Sequence, residues 1–173
     1  EPAEIVSKLY SLLHTQGKRD LQSKHLLIST GSTREFIDPV RFIGNPATGR
    51  MGIALAQAAC DRGAAVTLVH GPLTADIAAT IPTEAARIGV TTAAQMEQAM
   101  LAQLPQASWV IMAAAVADVR PGQTAIAKLP KKELPTQLTL EFVPDIVSQL
   151  SAQKTTQQLI VGFAAPTGDI IYH

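Results

Sequence analysis

The chain has 173 residues, of which 47% are hydrophobic and 16% are charged, and this length supports one domain with a packed core. Its 14 basic residues balance its 14 acidic residues, so no net charge attracts it to nucleic acid or to an anionic membrane. The sequence has a single cysteine, Cys60, and no apolar run of the roughly 18 residues that a membrane span needs. We therefore predict a cytoplasmic protein without an internal disulfide, a membrane partner or a nucleic-acid partner.

The predicted elements alternate between strands and helices. An amphipathic lead-in helix over residues 3–14 is followed by a polar link that ends at residue 24. The pattern then predicts strands at 25–30, 65–70, 108–115 and 158–165, helices at 51–62, 93–104 and 144–153, and a shorter element at 87–92. Because only a crossover returns a strand in the same direction, this alternation is typical of parallel strands. The predicted fold class is α/β, with a doubly wound, Rossmann-like parallel sheet.

One long segment interrupts this alternation, "VADVRPGQTAIAKLPKKELPTQLTLEFV" at residues 116–143. It contains three prolines and a lysine cluster, and it closes with alternating apolar residues in "QLTLEF". The segment is too long for an ordinary connection, and its end is too apolar for a disordered linker. We predict an inserted flap that runs into a β-arm.

Three unusual loops follow the ends of predicted strands. They are "GSTREFIDPVRFIGNPATGRMG" at 31–52, "AAAVAD" at 113–118 and "GFAAPTGD" at 162–169. Open parallel sheets bind ligands beyond the carboxyl ends of their strands. We therefore expect the three loops to converge on one crevice.

A phosphate site is predicted where "NPATGRMG" at 45–52 leads into a helix. Thr48 is the expected N-cap residue, and the N–H groups of Gly49, Arg50 and Met51 would then point into the crevice. A helix start favours an anion by about 0.3–1 kcal/mol. Phosphate is the anion that suits this arrangement best.

The motifs of the common nucleotide-binding classes are absent. The dinucleotide fingerprint needs a tight glycine-rich turn and an acid after the second strand, whereas this sequence has "GSTREF" and His70. The Walker pattern is also missing. A nucleotide or phosphorylated-substrate site without a redox signature remains, in which Asp118 would bind ribose hydroxyls or a metal on phosphates. A mobile lysine among Lys128, Lys131 and Lys132 would clamp developing negative charge.

The sequence resembles the family of CTP-dependent phosphopantothenoylcysteine synthetases, the carboxy-terminal half of a bifunctional bacterial coenzyme A biosynthesis protein. The resemblance rests on "STGSTREFIDPVRFIGNPATGRMGIALA", "AAAVADVRP", the flap lysines, "VPDIV" and "VGFAAPTGD", in this order. It implies a ligase that joins 4′-phosphopantothenate to L-cysteine. In such a reaction the carboxylate attacks the α-phosphate of CTP, pyrophosphate leaves, and the cysteine amine displaces CMP from the acyl-cytidylate.

The resemblance also implies roles for individual residues. Asn45 would act on the acyl-cytidylate, Lys128 would be the catalytic flap lysine, and Arg41 would support the dimer. The loop with Thr48, Gly49 and Arg50 would hold the phosphorylated substrate. The residues assigned to CTP are Met112, Ala113, Ala114, Asp118, Lys128, Pro144, Asp145, Ile146, Val147 and Phe163, and Asp118 would also contact a metal.

Further implications concern cofactors and organisation. Mg²⁺ would accompany CTP, and the protein would form a homodimer. Residues 1–24 would be the junction with an upstream flavoprotein decarboxylase domain, which alone would carry FMN. Residues 25–173 would be the nucleotide-binding ligase domain, shortened at its C-terminus relative to the family.

The sequence departs from the family pattern in two places and leaves two other classes open. Ala47-Thr48-Gly49 replaces the usual Ser-Ser-Gly, and Pro130 in "KLPKK" leaves Lys131 as an alternative to Lys128. An NAD(P)-dependent short-chain oxidoreductase would share the strand and helix rhythm. A non-catalytic oligomerisation module is the second alternative.

Overall fold

The computed structural model describes residues 2–164 of the chain. The elements, in chain order, are α1 (Pro2–Thr15), β1 (His25–Thr30), β2 (Arg34–Phe36), β3 (Phe42–Gly44), α2 (Arg50–Asp61), β4 (Ala65–His70), α3 (Ala75–Ala78), β5 (Ala86–Gly89), α4 (Ala93–Gln103) with a 3-10 turn at Leu104–Gln106, β6 (Trp109–Met112), β7 (Val119–Pro121), β8 (Leu140–Phe142), α5 (Ile146–Gln153) and β9 (Leu159–Gly162).

The central sheet has five strands in the order β5-β4-β1-β6-β9. Every neighbouring pair in it is parallel. From β1 the chain winds outward through β4 to β5, and it then crosses to the other side of β1 to form β6 and β9. This reversal is the arrangement of a doubly wound sheet, and it confirms the predicted fold class.

The predicted element boundaries hold best for the buried strands. β1 and β4 have the predicted bounds, whereas the strand predicted at 108–115 is shorter, at Trp109–Met112. Beyond Met112 the N–H groups of Ala113 and Ala115 still donate to the carbonyl oxygens of Ser29 and Gly31, at 3.2 and 2.8 Å. The apolar run therefore continues past the end of the regular strand. The last predicted strand covers Leu159–Gly162, and its predicted end, residue 165, lies outside the described residues.

Two hydrophobic clusters cover opposite faces of the sheet. Leu27 and Ile28 of β1 are both fully buried, yet they belong to different clusters because successive strand residues point to opposite faces. Ile28 packs in the cluster that includes Ile53 of α2. Leu27 packs in the cluster that includes Met100 of α4 and Leu150 of α5. Burial on both faces explains why β1 reads as a continuous apolar run.

Two small antiparallel units lie outside the central sheet. β2 and β3 form a hairpin within the long loop after β1. β7 pairs with β8 in a two-stranded arm, which confirms the β-arm predicted at the end of residues 116–143. The hairpin strands and β7 were not predicted, since three residues are too few to establish an alternating pattern.

Helix α1 presents much of its apolar surface to solvent. Its exposed apolar side chains include Ile5, Val6, Leu9, Leu12 and Leu13. The helix packs against α2, and Lys8 Nζ also lies 3.3 Å from Glu84 Oε1. Across residues 2–164, no helix combines the length and the apolar character that crossing a membrane requires.

Candidate functional site

The loops after β1 and β6 lie side by side beyond the ends of these strands. Ala115 N–H donates to the carbonyl oxygen of Gly31 at 2.8 Å, and Ser32 forms a parallel bridge with Ala115. Phe163 N–H donates to the carbonyl oxygen of Met112 at 3.3 Å, so the chain leaving β9 starts at the same edge. The predicted crevice would therefore lie at this edge of the sheet, and residues 165–169 of its third loop lie outside the described residues.

The start of helix α2 is fastened to the end of β1, and the prediction that Thr48 caps this helix is wrong. Gly49 is the N-cap residue with φ 83°, a conformation that glycine adopts without strain, and no side chain of this residue is available as a cap. The carbonyl oxygen of Gly49 accepts a 2.7 Å hydrogen bond from Thr30 Oγ1. Thr48 and Arg50 are exposed. The first-turn N–H groups of Arg50 and Met51 have no intrahelical acceptor, so the helix still offers donors at its start.

Close approach of α2 to β1 depends on Gly52. A Cβ atom placed on Gly52 would collide with the side chain of Thr30. The absent side chain lets the first turn of the helix lie directly against the strand end. This packing sets where the helix start meets the crevice.

Asn45 lies where the two loops meet. Its side chain is exposed, and Nδ2 donates to the carbonyl oxygen of Val116 at 3.2 Å. An amide carries two donor hydrogens and an acceptor oxygen, so this bond uses one donor. The predicted catalytic residue therefore connects the loop that enters α2 with the loop that leaves β6.

The backbone at the end of β6 is held by Ser29. Ala113 N–H donates to the carbonyl oxygen of Ser29 at 3.2 Å, and Ala114 N–H donates to Ser29 Oγ at 3.2 Å. The same hydroxyl donates to the sulfur of Met112 at 3.5 Å. Among residues 2–164, the carbonyl oxygens of Ala113 and Ala114 receive no hydrogen bond. The predicted base-reading segment can therefore offer acceptors to a ligand, while its N–H groups are used internally.

Two buried hydroxyl residues that organise this edge were not among the residues predicted from the sequence. Ser29 is fully buried in β1, and Thr33 is fully buried just beyond it. Thr33 Oγ1 accepts a 2.9 Å hydrogen bond from Ala117 N–H. The sequence does carry a signal for both residues, since a hydroxyl within or next to a fully buried apolar strand must find a hydrogen-bond partner.

Asp118 is exposed and lies near the end of the loop after β6. Its carbonyl oxygen accepts from Val143 N–H at 2.9 Å, which connects this loop to the end of the arm. In the described part of the chain, no group of three or more His, Cys, Asp or Glu side chains is placed to hold a metal ion. A metal bound here would therefore take fewer than three of its ligands from these described side chains.

The predicted nucleotide-binding turn at Pro144 to Val147 forms the start of α5. Asp145 is the N-cap residue, and it accepts hydrogen bonds from Val147 N–H at 2.9 Å and from Ser148 Oγ at 2.6 Å. The Ser148 hydroxyl, aided by the Ser148 backbone N–H, holds the pKa of Asp145 below its ordinary value. Ile146 is buried in the core, whereas Pro144 is exposed. The structure thus gives Asp145 and Ile146 local structural contacts, and their predicted role toward CTP stays a prediction.

The flap lysines and Phe163 are exposed. Lys128, Lys131 and Lys132 lie between β7 and β8, and Phe163 follows β9 with 53% of its surface exposed. These positions leave the side chains accessible to a ligand, and their predicted contacts with CTP remain predictions.

Arg41 makes its contacts within the chain. Its Nη1 donates to Asp38 Oδ2 at 2.6 Å and to the carbonyl oxygen of Leu129 at 3.2 Å. The predicted role of this arginine in a dimer is a separate proposal.

Known proteins resemble this chain over most of its length. The sequence profile of the DNA/pantothenate metabolism flavoprotein C-terminal domain matches residues 21–173. The coenzyme A biosynthesis bifunctional protein CoaBC of Vibrio vulnificus (strain YJ016) is 45% identical over 172 residues, covering 98% of this chain and 41% of that protein. The CoaBC protein of Bacillus subtilis (strain 168) is 39% identical over 177 residues, covering 100% of this chain and 42% of that protein. This chain spans about two fifths of the length of these relatives.

The fold agrees with this relationship. The crystal structure of the C-terminal domain of CoaBC superposes with a TM-score of 0.72 at 38% identity, covering 85% of this chain and 67% of that chain. A Cab2 mutant in complex with phosphopantothenate-cysteine has a TM-score of 0.62 at 17% identity, covering 89% of this chain and 67% of that chain; this likeness concerns the fold alone. With its profile match, its sequence relatives and its parallel sheet in agreement, the chain belongs to the family of the DNA/pantothenate metabolism flavoprotein C-terminal domain.

Proposed function

We propose that this chain is a ligase domain that joins 4′-phosphopantothenate and L-cysteine in coenzyme A biosynthesis, with CTP as the activating substrate. The observation that carries the proposal is the contact between Asn45 and Val116 at the crevice between β1 and β6. It places an exposed amide near the start of α2 and near a strand end whose carbonyl oxygens accept no hydrogen bond from residues 2–164. The family relationship supplies the substrate class.

The strand end after β6 would bind the base of CTP. The carbonyl oxygens of Ala113 and Ala114 are suited to accept from the exocyclic amino group of cytosine, which is a hydrogen-bond donor. Met112 would support this segment from the core, where it is buried. Phe163, which directly follows β9 at the same edge of the sheet, would cover the base with its ring.

The helix start would bind a phosphate group. Gly49 and Arg50 offer backbone N–H groups at the positive end of the α2 dipole, and exposed Thr48 adds a hydroxyl. Asp118 would share a Mg²⁺ ion with phosphate oxygens. A single carboxylate fits this task, because Mg²⁺ is usually held by one or two carboxylates together with substrate phosphates and water.

Two steps would complete the reaction. An oxygen of the 4′-phosphopantothenate carboxylate attacks the α-phosphorus of CTP, and pyrophosphate leaves with the electrons of the broken bond. The nitrogen of cysteine then attacks the acyl carbon and loses a proton, and CMP leaves. Asn45 would hydrogen-bond to the acyl-cytidylate. Lys128 would place its positive charge against the negative charge that develops in the second step, when CMP leaves.

The proposal extends to partners outside the chain. We propose a homodimer in which Arg41 and the arm take part. We also propose that residues 1–24 connect the domain, in a longer parent protein, to a decarboxylase domain that carries FMN. The proposed compartment is the cytoplasm.

The two alternatives receive no comparable support. An NAD(P) oxidoreductase needs an acid or arginine after the second strand, and β4 ends in His70, whose Nδ1 lies 2.9 Å from the carbonyl oxygen of Gly71. The family relationship favours neither an oxidoreductase nor a purely oligomeric module.

Ligand-dependent melting tests the nucleotide assignment. The chain is heated with Mg²⁺ and CTP, ATP or NAD in turn. CTP at about 100 times its Kd should add about 2.7 kcal/mol to the free energy of unfolding, and ATP should add much less because a purine presents a different edge. Equal stabilisation by CTP and ATP would contradict the cytosine assignment.

Product analysis tests the reaction itself. CTP, 4′-phosphopantothenate and L-cysteine are supplied, and pyrophosphate and the amide product are measured. We expect pyrophosphate release to require 4′-phosphopantothenate, and amide formation to require all three substrates. Pyrophosphate release at the same rate with and without 4′-phosphopantothenate would rule out this ligase activity.

A further inference from the structure

The turn of the β2–β3 hairpin fastens the first part of the flap. Ala125 N–H donates to the carbonyl oxygen of Ile37 at 2.9 Å. Thr124 Oγ1 donates to the carbonyl oxygen of Phe36, also at 2.9 Å. These bonds join the hairpin to the segment that leads to Lys128.

Asp38, in the same turn, is completely buried, and both of its carboxylate oxygens are fully used. Oδ1 accepts from Val40 N–H at 2.8 Å and from Arg41 N–H at 2.9 Å. Oδ2 accepts from Leu129 N–H at 3.2 Å and from Arg41 Nη1 at 2.6 Å. Burial opposes ionisation most strongly, but these N–H groups and the charge of Arg41 outweigh it, so the pKa of Asp38 is lowered.

Arg41 completes the attachment by holding the other polar backbone group of Leu129. Its Nη1 also donates to the carbonyl oxygen of Leu129 at 3.2 Å. Asp38 thus holds the N–H of Leu129 and Arg41 holds its carbonyl. Fixing both polar groups of one residue fixes the direction of the chain on either side of it, and Lys128 is the preceding residue.

We propose that Asp38 and Arg41 form a positioning pair that sets the location of Lys128 by holding the backbone of Leu129. This inference rests on the proposed function, in which Lys128 acts on the reacting groups. A buried carboxylate is costly unless its partners satisfy it, and here those partners are the turn itself and the flap. Two hydrogen bonds of the pair reach the flap, from Leu129 N–H to Asp38 and from Arg41 to the Leu129 carbonyl oxygen, and an apolar side chain at position 38 could not accept the first.

Amide exchange of Leu129, followed by NMR in the whole chain, tests the attachment directly. Asp38→Asn keeps the shape of the side chain but replaces one acceptor oxygen by an amide donor. The two N–H groups that were bonded to that oxygen lose their acceptor, and the remaining oxygen is uncharged. Loss of a hydrogen bond to a charged group should speed exchange of the Leu129 amide about tenfold or more. Arg41→Lys, at a partly exposed side chain, is the second variant because it keeps the charge but not the planar fork.

Glu35→Gln is the matched control. Glu35 is a buried carboxylate in the same hairpin, and it accepts a 2.8 Å hydrogen bond from Ala93 N–H at the start of α4 rather than from Leu129. We expect this variant to leave Leu129 exchange unchanged. Unchanged Leu129 exchange in both Asp38→Asn and Arg41→Lys would overturn the proposal, and so would a loss of dimer mass in these variants without any change in exchange.

A double-mutant cycle tests whether the pair acts through Lys128. If it does, Asp38→Asn should lower kcat for amide formation in the wild-type background and have no further effect in the Lys128→Gln background. Any effect of Glu35→Gln should instead be the same in both backgrounds. Equal effects of Asp38→Asn in both backgrounds would show a general structural role and overturn the proposal. If the wild-type chain lacks ligase activity, the proposed function fails, and Leu129 exchange alone decides the attachment.

Discussion

Asn45 donates a hydrogen bond from its side-chain amide to the backbone carbonyl of Val116, a residue 71 positions later in the chain, at 3.2 Å. The two residues lie in the loops that follow β1 and β6, the neighbouring strands between which the winding of the sheet reverses. Ligands of open parallel sheets bind at this reversal. The contact therefore joins the two loops at the position where chemistry is expected.

Asn45→Asp should abolish ligase turnover and leave the fold intact. The new carboxylate would face the phosphate of the acyl-cytidylate and would lose the donor function, a change of about 3 kcal/mol or more at an electrostatic site. Because the side chain is exposed, the free energy of unfolding should change by only about 1 kcal/mol. Product formation and chemical denaturation measure the two effects.

Gln98→Glu is the control for this substitution. It adds the same negative charge on an exposed position of α4. Turnover comparable to wild type in Asn45→Asp, or an equal loss in Gln98→Glu, would remove Asn45 from the reacting centre.

Lys128→Gln should separate the two half-reactions. The substitution keeps most of the side-chain length but removes the positive charge, so we expect pyrophosphate release to persist better than amide formation. The acyl-cytidylate should then accumulate and be detectable by mass spectrometry. Lys18→Gln, at an exposed position outside the flap, serves as control, and unchanged half-reactions in Lys128→Gln would transfer the role to Lys131 or Lys132.

The arm should contribute to a dimer. Leu140 and Phe142 expose 46% and 88% of their surfaces, and an exposed apolar strand at an edge favours pairing with another chain. Phe142→Ser should shift the mass measured by light scattering at micromolar concentration from dimer toward monomer. Ile5→Ser removes a similarly exposed side chain from α1, and dissociation by this variant alone would place the dimer contact elsewhere.

Stability should depend on Asp38 at acidic pH. The pKa of Asp38 is lower in the folded chain than its ordinary value of 3.8, so its contribution is complete above that value and is lost as the pH falls through the folded pKa. The difference in unfolding free energy between wild type and Asp38→Asn should therefore be largest at pH 5–6 and shrink toward pH 2–3. A difference that stays constant over this range would show that ionisation of Asp38 does not stabilise the fold.

The thiol of Cys60 should react slowly in the folded chain. Burial, with smaller contributions from the charges of Glu84 and Asp61, raises its pKa to about 11. Since the thiolate is the reactive form, labelling at pH 7.5 should be about a hundredfold slower than in urea. Equal rates in the folded and unfolded chain would contradict this environment for the thiol.

Several features of the site could be predicted from short patterns. The helix start of α2 and the exposed flap lysines have local signals in "NPATGRMG" and "KLPKK". The cap assignment was wrong because side-chain preference favoured Thr48, whereas the carbonyl of Gly49 is held by Thr30 from the neighbouring strand. A tertiary contact therefore decided which residue occupies the N-cap position of α2.

The sequence by itself determined the alternation of the central strands with helices α2, α4 and α5, and the parallel class of the central sheet. These properties depend on hydrophobic periodicity, which acts over a few residues. Only the tertiary structure decided that Ser29 holds the backbone of Ala114 and that Asp38 holds Leu129. Such hydrogen bonds join residues far apart in the chain, and no local pattern records them, because their energy arises only when folding buries both partners away from water.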